Sequence, residues 1–484
     1  MKSFGNIAKD GQVRAVASGT LTDGKAVLVN SDGTVSIVAE SGTNISESIG
    51  STVTFESGDI SLVAFVYDKS AQKVVAFYRD SGNSGYLTYA IGTVSDTSIS
   101  FSTPVVYLSN AANVTRSSAV YDEGSSKTIL CYRDGNDSFS PYAVVGTVGA
   151  SSITFGTAVK VDTTGTDLQL ISNGNGVVLA YRGSNEYGNA AVGAISGNSI
   201  SFGTSVVFKS ASIASDYNSS AYDINAAKVV IAYSDNSNDT NGTAIVGTVS
   251  GTSISFGSEV VFDNTSNAVG KTAMAYDKTA QKIVLAFWVQ GGTRAFKAVV
   301  GTVSGTSISF GSKVTIDSDA SYSSMSYNDA ASQVVISWSR SASGEDGALI
   351  VGTVSGTSIS LGSIQTFETD PAFFMTSTYD SDAKRIVIGF RSSSTGKSLV
   401  FRNAYTETTT NITSENFIGF SDGAFATTQS AVINTANTID RNQTSLTPGQ
   451  TYFVTAAGAL STTAGDPSVK AGTAISSTEL IVKG

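Results

Sequence analysis

The stretch from Val246 to Phe262, VGTVSGTSISFGSEVVF, limits the fold more than anything else in the chain, because it recurs. It returns as VGTVSGTSISFGSKVTI from Val300 and as VGTVSGTSISLGSIQTF from Val351. Looser copies begin at Ile91 (IGTVSDTSISFSTPVVY), Val145 (VGTVGASSITFGTAVKV) and Val192 (VGAISGNSISFGTSVVF). The recurring glycine falls at Gly92, Gly146, Gly193, Gly247, Gly301 and Gly352, a spacing of 47 to 54 residues. Repeats of this length build solenoids, propellers or arrays, in which each unit buries its apolar face only against its neighbours.

Each unit contains four strand-like pieces. The first ends on a Tyr-Asp pair at Tyr67-Asp68, Tyr121-Asp122, Tyr222-Asp223, Tyr276-Asp277 and Tyr379-Asp380, with Tyr327-Asn328 as a variant and Ile171-Ser172 lacking the pair. The second is an apolar run such as KVVAFY or KIVLAF that closes on an aromatic: Tyr78, Tyr132, Tyr181, Tyr233, Phe287, Trp338 or Phe390. The third is of the AVVGTV type and the fourth of the SISFGSEVVF type. Runs that are apolar on both faces suit strands sandwiched between neighbouring sheets. Four short antiparallel strands per unit of this length fit the blade of a β-propeller.

The strand count carries its own check. Seven Tyr-Asp-type units run from Tyr67 to Tyr379, and seven fourth-strand copies run from Ile49–Phe55 to Leu361, so the last unit lacks a fourth strand of its own. The register is shifted by one strand. An all-β, seven-bladed propeller over residues 45–405 is therefore expected, closed by an N-terminal strand that completes the last blade and leaves no open edge.

Composition excludes several functions. The chain has 484 residues, 41% of them apolar and 14% charged, and a net charge of −10. No run approaches the roughly 18 apolar residues of a membrane-spanning helix, and no basic stripe offers a nucleic-acid surface. With no His and a single Cys, the commonest general base and the usual zinc ligands are missing. Cys131, in the apolar run KTILCYRD, reads as a buried inert thiol. No cofactor is expected.

The ends have a different texture. Residues 1–44 centre on a hairpin, Ala26–Val29 and Val35–Val38 around Ser31-Asp32-Gly33, that must lean on another domain, another chain or a larger particle. Residues 406–484 read as a separate β module, with NFIGF at Asn416, LTPGQTYFV at Leu446, the Gly458-Ala459-Leu460-Ser461-Thr462 turn and VKAGTAIS at Val469. In that order these motifs resemble a small β domain near the ends of tail-fibre and other structural proteins of marine bacteriophages. The preamble GTLTDGKAVLVNSDGTVSIV resembles segments that open such proteins. The resemblance implies a virion protein whose terminal modules contact other virion proteins and fasten or trimerise it. The start of the chain, MKSFGNIAKDGQVRAV, lacks the apolar core of a secretory signal, and that agrees with a protein displayed on a particle assembled in the host cytoplasm.

Candidate chemistry is sparse. The Asp after each Tyr reads as a turn residue accepting hydrogen bonds from its own backbone. One residue past the aromatic of the second strand stand Arg79, Arg133, Arg182 and Arg391, which read either as a solvated blade edge or as contacts to an anionic glycan. The loop from Ser234 to Asp239 has oxygen ligands suited to Ca²⁺ but not the spacing of an EF-hand, so it reads as a polar loop with no metal.

The loops divide into two sets. The hairpins YDKTAQK and TVSGTSI barely change between units, whereas the second-to-third-strand loops and the blade connections all differ. In an up-and-down blade both variable sets leave on one face, as expected of a binding surface on a rigid scaffold. Candidate binding residues there are Arg79, Tyr86, Arg133, Phe139, Arg182, Tyr187, Tyr217, Trp288, Arg294, Tyr322, Phe373 and Phe374. The combined expectation is a non-enzymatic virion surface protein, a tail fibre or appendage, presenting this face to a host surface glycan or receptor. A capsid-decorating or tail-assembly protein is the alternative. A glycan depolymerase ranks last, because it needs a pair of carboxyls in one cleft.

Overall fold

The computed structural model describes residues 11–113, 118–215, 218–264, 269–290 and 294–483. They form two compact units: Ser46–Tyr405, and the described parts of Met1–Ile45 together with Thr406–Gly484.

Ser46–Tyr405 is a seven-bladed β-propeller. The inner strands of blades one to seven are Ile60–Asp68, Ala119–Asp122, Thr166–Ser172, Ser219–Asp223, Val269–Asp277, Ser323–Asn328 and Ala372–Asp380. Each neighbours the next, and the last neighbours the first, so the ring is closed. From each inner strand the blade continues outward through antiparallel second, third and outer strands. The outer strand is kinked into two pieces that both pair with the third, as Ser307–Phe310 and Val314–Asp317 do with Ala295–Ser304. Blade seven takes its outer strand from the N-terminal side of the propeller. Ile49 pairs with Phe401, and Val53 and Thr54 pair with Ser398 and Lys397. This is the one-strand register shift read from the sequence. Blade one departs from the pattern: its outer strand Val105–Asn113 runs on to pair Ala112 with Asp134 and Asn113 with Arg133 of blade two, merging both blades into one ten-stranded sheet.

The apolar runs of the second strands work as their two-faced pattern requires. In blade five, Ile283, Leu285 and Phe287 pack towards blade four, against Val230 and Ala232. Val284, Ala286 and Trp288 pack towards blade six, against Ile336 and Trp338. Fully burying each large side chain of this kind contributes roughly 1.5–3 kcal/mol. The seven aromatics that end these runs are all buried, none more than 2% exposed. Most meet a ring from the preceding blade's outer strand: Phe262–Phe287 at 5.0 Å, Phe208–Tyr233 at 5.5 Å and Phe367–Phe390 at 5.3 Å between centroids. At the closure the N-terminal strand supplies the same contact, Phe55 to Tyr78 at 5.3 Å.

The constant hairpins form one face. Asp68, Asp223, Asp277 and Asp380 each accept a hydrogen bond from the amide three residues on, at 2.8–2.9 Å. These are the turn contacts expected of them. The partnering tyrosines link blades: Tyr327 Oη donates to Thr279 Oγ1 of the preceding blade at 2.8 Å, and the Ala330 amide donates to Tyr379 Oη at 3.3 Å. Cys131 is fully buried, and burial pushes its thiol up.

The two terminal segments, expected to be separate modules, form one. Gln12–Val16, Ala26–Val29 and Val35–Ile37 share a five-stranded sheet with Phe417–Ser421 and Ser430–Asn434. The expected hairpin is present, with Val27 opposite Ile37. A second five-stranded sheet, Ile439–Asp440 to Leu480–Val482, covers it. Ala26, Leu28 and Val38 share a core with Phe420, Tyr452, Val469 and Leu480. The N-terminal hairpin thus leans on the C-terminal module of its own chain.

Candidate binding face

The second-to-third-strand loops and the blade connections leave the propeller on the face opposite the Tyr-Asp hairpins. Short 3₁₀ turns, Ser81–Asn83, Gly135–Asp137, Ser184–Glu186 and Ser341–Ser343, shape four of these loops. Asp80 and Asp134 start two of them by accepting from the Asn83 amide at 3.0 Å and the Asn136 amide at 2.8 Å.

The arginines at the ends of the second strands are tied into their surroundings. Arg79 Nη1 donates to Ser61 Oγ at 3.2 Å, and its buried Nε has no partner among the described residues. Arg133 Nε donates to the Phe139 carbonyl at 3.1 Å while its guanidinium lies 5.4 Å from the Phe139 ring centre. Burial presses the Arg133 guanidinium below its usual pKa, and the nearby Asp167 carboxylate opposes that shift. Arg182 donates to the Ile213 carbonyl at 3.0 Å and pairs with Glu186. Arg391 pairs with Asp59 at 3.3 Å. Each of the four serves its own stretch of the rim, and they do not form a shared clamp.

The aromatics divide in the same way. Tyr86 and Tyr187 are half-buried at the starts of third strands. Trp288 is only 9% exposed and belongs to the core between blades five and six. The Arg294 guanidinium lies 6.0 Å from its ring centre and 3.5 Å from the Asp319 carboxylate. Tyr217 lies outside the described residues.

One group does converge, over blades five to seven. The Tyr322 ring lies 5.8 Å from Phe373 and 5.1 Å from Phe374. Lys271 Nζ sits 5.0 Å from the Tyr322 ring centre, and the Arg391 guanidinium 6.0 Å from that of Phe373. Three aromatic rings and two cations thus share one patch. Phe373 and Phe374, both candidate binding residues, are half-buried by this packing.

Lys271 was not evident from the sequence. It occupies a bulge with a left-handed backbone, φ 47°, as do Leu62 at 55°, Asp167 at 56° and Phe374 at 54°. The bulges interrupt the inner strands of blades one, three, five and seven. An even-numbered blade then caps its odd-numbered neighbour: Ser323 Oγ donates to the Lys271 carbonyl at 2.7 Å, and Asn218 Nδ2 to the Asp167 carbonyl at 2.9 Å. The available signal was the Ser-Ser pair at Ser117-Ser118, Ser219-Ser220 and Ser323-Ser324, which recurs every second unit.

No protein-family model and no curated protein sequence matches the chain. Among solved structures, the chain is similar to AofleA from Arthrobotrys oligospora, at 11% identity and a TM-score of 0.40 over 72% of this chain and 95% of that one. It is similar to the NanB sialidase from Streptococcus pneumoniae at 13% identity and a TM-score of 0.42, over 72% and 70% of the two chains. For a mutant Aleuria aurantia lectin in complex with α-methyl-L-fucoside, the values are 12%, 0.40, and 64% and 98%. The propeller assignment itself rests on the strand pairings and the closed ring.

Proposed function

We propose that this protein is a non-enzymatic virion surface protein, a tail fibre or similar appendage, whose propeller binds a host surface glycan or receptor. The observation that carries the binding half is the convergence of Tyr322, Phe373 and Phe374 with Lys271 and Arg391 on the face of variable loops. Aromatic rings offer apolar faces to the C–H faces of a sugar, and a flanking cation donates to its hydroxyl or acidic substituents. The groups brought together are those of a binder, and two carboxylates beside them are engaged, Asp59 by Arg391 and Glu345 by the Ser321 hydroxyl. The virion half is supported by the resemblance of the terminal segments to phage structural proteins. In this reading the terminal unit fastens the protein to the particle or trimerises it.

Two experiments test the halves separately. Immunogold microscopy of particles with antibody to the propeller is expected to label fibre tips or the tail end. Even labelling of the capsid would replace the tail-fibre reading with a decorating role, and unlabelled particles would remove the virion premise. A glycan array probed with the full chain is expected to give hits that Phe373→Ala weakens; hits unchanged by that substitution would move the site elsewhere.

A further inference from the structure

Two inner-strand bulges meet one tyrosine. Lys271 and Phe374, in the bulges of blades five and seven, have left-handed backbones at φ 47° and 54°. That conformation is costly for any residue with a side chain. It persists where the surrounding structure holds it, commonly at binding sites, and a bulge re-aims the side chain it carries. Both side chains here reach blade six between them. Lys271 Nζ lies 5.0 Å, and the Phe374 ring 5.1 Å, from the Tyr322 ring centre.

Blade six supplies two hydroxyls that hold its neighbours. Ser323 and Ser339 are 3% and 0% exposed, and they serve opposite sides. Ser323 Oγ donates to the Lys271 carbonyl of blade five at 2.7 Å. Ser339 Oγ donates to the Ala372 carbonyl of blade seven, and the Ala372 amide donates to the Glu345 carbonyl at 2.8 Å. Ala372 immediately precedes Phe373 and Phe374. Tyr322 belongs to the same frame: its carbonyl accepts from the Ser339 amide at 3.0 Å, and Ser323 follows it in the chain. Blades three and four provide the comparison. Asn218, four residues before its hairpin tyrosine as Ser323 is, donates from Nδ2 to the Asp167 carbonyl at 2.9 Å. That cap holds a bulge whose residue, Asp167, is no part of the patch.

On the reading of this face as a glycan binder, we propose that Ser323 and Ser339 are positioning residues of that site. Ser323 fixes the blade-five bulge and with it the place of the Lys271 ammonium over Tyr322. Ser339 fixes the backbone from which Phe373 and Phe374 turn towards the same ring. Without the Ser323 hydroxyl the Lys271 carbonyl loses its donor and the bulge is free to regularise. A one-residue slip then turns Lys271 to the other side of its strand. Recognition on this face thus depends on two buried side chains that make no contact with the ligand.

The test uses the full chain and begins without a ligand. Acylation by an N-hydroxysuccinimide ester, followed at each lysine by mass spectrometry, compares half-buried Lys271 with exposed Lys278 on the constant-face hairpin of the same blade. Ser323→Ala should raise the Lys271 rate relative to Lys278 about two- to five-fold, the range for release of an exposed cation–π contact. Asn218→Ala, which removes the equivalent cap, should leave that ratio unchanged. The second measurement is affinity, by calorimetry, for the glycan with the strongest array signal. Ser323→Ala should weaken it about two- to five-fold, and by less than about two-fold once Lys271→Met is present. Ser339→Ala should behave in the same way towards Phe373→Ala. Asn218→Ala should keep wild-type affinity while lowering the melting temperature at least as much as Ser323→Ala. An unchanged Lys271 rate, or losses that add in full to those of Lys271→Met and Phe373→Ala, would make the serines merely structural and overturn the proposal while the glycan reading stands. Should Ser323→Ala not fold, the cycle of Ser339→Ala with Phe373→Ala decides alone. An array without hits would overturn the glycan reading and this proposal with it.

Discussion

The backbone carbonyl of Thr97 occupies the space that a side chain on Gly50 would need: a Cβ built on Gly50 would lie 1.8 Å from that oxygen. Gly50 belongs to the strand that completes blade seven, and Thr97 to the third-to-fourth-strand turn of blade one, so this approach is where the ring closes. The same approach recurs at internal joints, with Gly203 against Thr252 at 2.0 Å, Gly257 against Thr306 at 1.8 Å and Gly311 against Thr357 at 2.0 Å. It is absent at Gly362, whose nearest neighbour would be the Val351 carbonyl at 3.6 Å. Blade seven has no third-to-fourth turn of its own to press on that glycine.

Equivalent glycines should therefore respond differently to one substitution. Gly50→Ala and Gly311→Ala force a backbone carbonyl aside and should each destabilise the propeller by about 1–3 kcal/mol. Gly362→Ala, at the same repeat position, should leave stability within about 0.5 kcal/mol or raise it slightly by restricting the unfolded chain. Thermal melts of the three variants decide the matter, and equal losses in all three would refute the joint described here.

The hairpin carboxyls make a pH prediction. Burial raises the Asp277 and Asp380 carboxyls above their ordinary 3.8. Because the folded state holds these protons more tightly, their stabilising contribution is complete below the unfolded pKa and is lost as pH rises through the folded one. Blade six carries Asn328 at this position, and its Oδ1 still accepts from the Ala331 amide at 3.2 Å. The double variant Asp277→Asn, Asp380→Asn should keep the turns and lose the cost of burying two charges. Its melting temperature relative to the wild type should rise between about pH 3.5 and pH 7. A constant difference across that range would show that burial does not govern these carboxyls.

On the variable face, convergence separates residues that matter for binding from those that hold loops. Phe373→Ala removes a ring from the patch and should weaken binding of an array-identified glycan about three- to ten-fold. Lys271→Met, which keeps the aliphatic stem, should raise the dissociation constant and flatten its dependence on salt if the ligand is acidic. Arg182→Ala should change affinity less than two-fold, a rough threshold from the modest worth of exposed ion pairs, because that side chain serves Ile213 and Glu186 in blade three. Titrations with immobilised glycan rank the variants. A larger loss at Arg182 than at Phe373 would move the site across the ring.

Much of the propeller was legible because its signals are local and repeated. The two-faced apolar runs gave the sandwiched second strands, and the surplus fourth-strand copy at Ile49–Phe55 gave the closure. Even an irregular joint shows in the chain. The tight third-to-fourth turns carry Asp96, Gly197, Gly251, Gly305 or Gly356 with φ between 52° and 61°. Blade two has Ala150 there, and its turn opens to a Gly149 amide to Ser152 carbonyl bond at 2.8 Å. The outer strand facing that turn carries Ser102 in place of the kink glycine. The left-handed bulges were hidden, because alternation of apolar residues reports which way side chains point and not the sign of φ. Lys271 entered the binding patch through such a bulge. Trp288 shows the opposite error: an aromatic beside a variable loop read as a surface residue, while its strand register turns it into the core between two blades.

The terminal unit was illegible for another reason. Gln12 pairs with Asn434, and Val16 with Ser430, across the whole propeller sequence, so no local pattern marks the partner. This arrangement makes a prediction about fragments. A chain of residues 46–405 contains the closing strand Ser48–Glu56 and should fold alone with a cooperative thermal transition and a β-type circular dichroism spectrum. Residues 406–484 alone lack the Ala26–Val29 and Gln12–Val16 strands that flank Phe417–Ser421 and Ser430–Asn434, and they leave Phe420 and Leu480 without Ala26, Leu28 and Val38. That fragment should be protease-sensitive, and adding a peptide of residues 1–45 should restore protection. A stable 406–484 fragment would show that the N-terminal strands decorate its core without completing it.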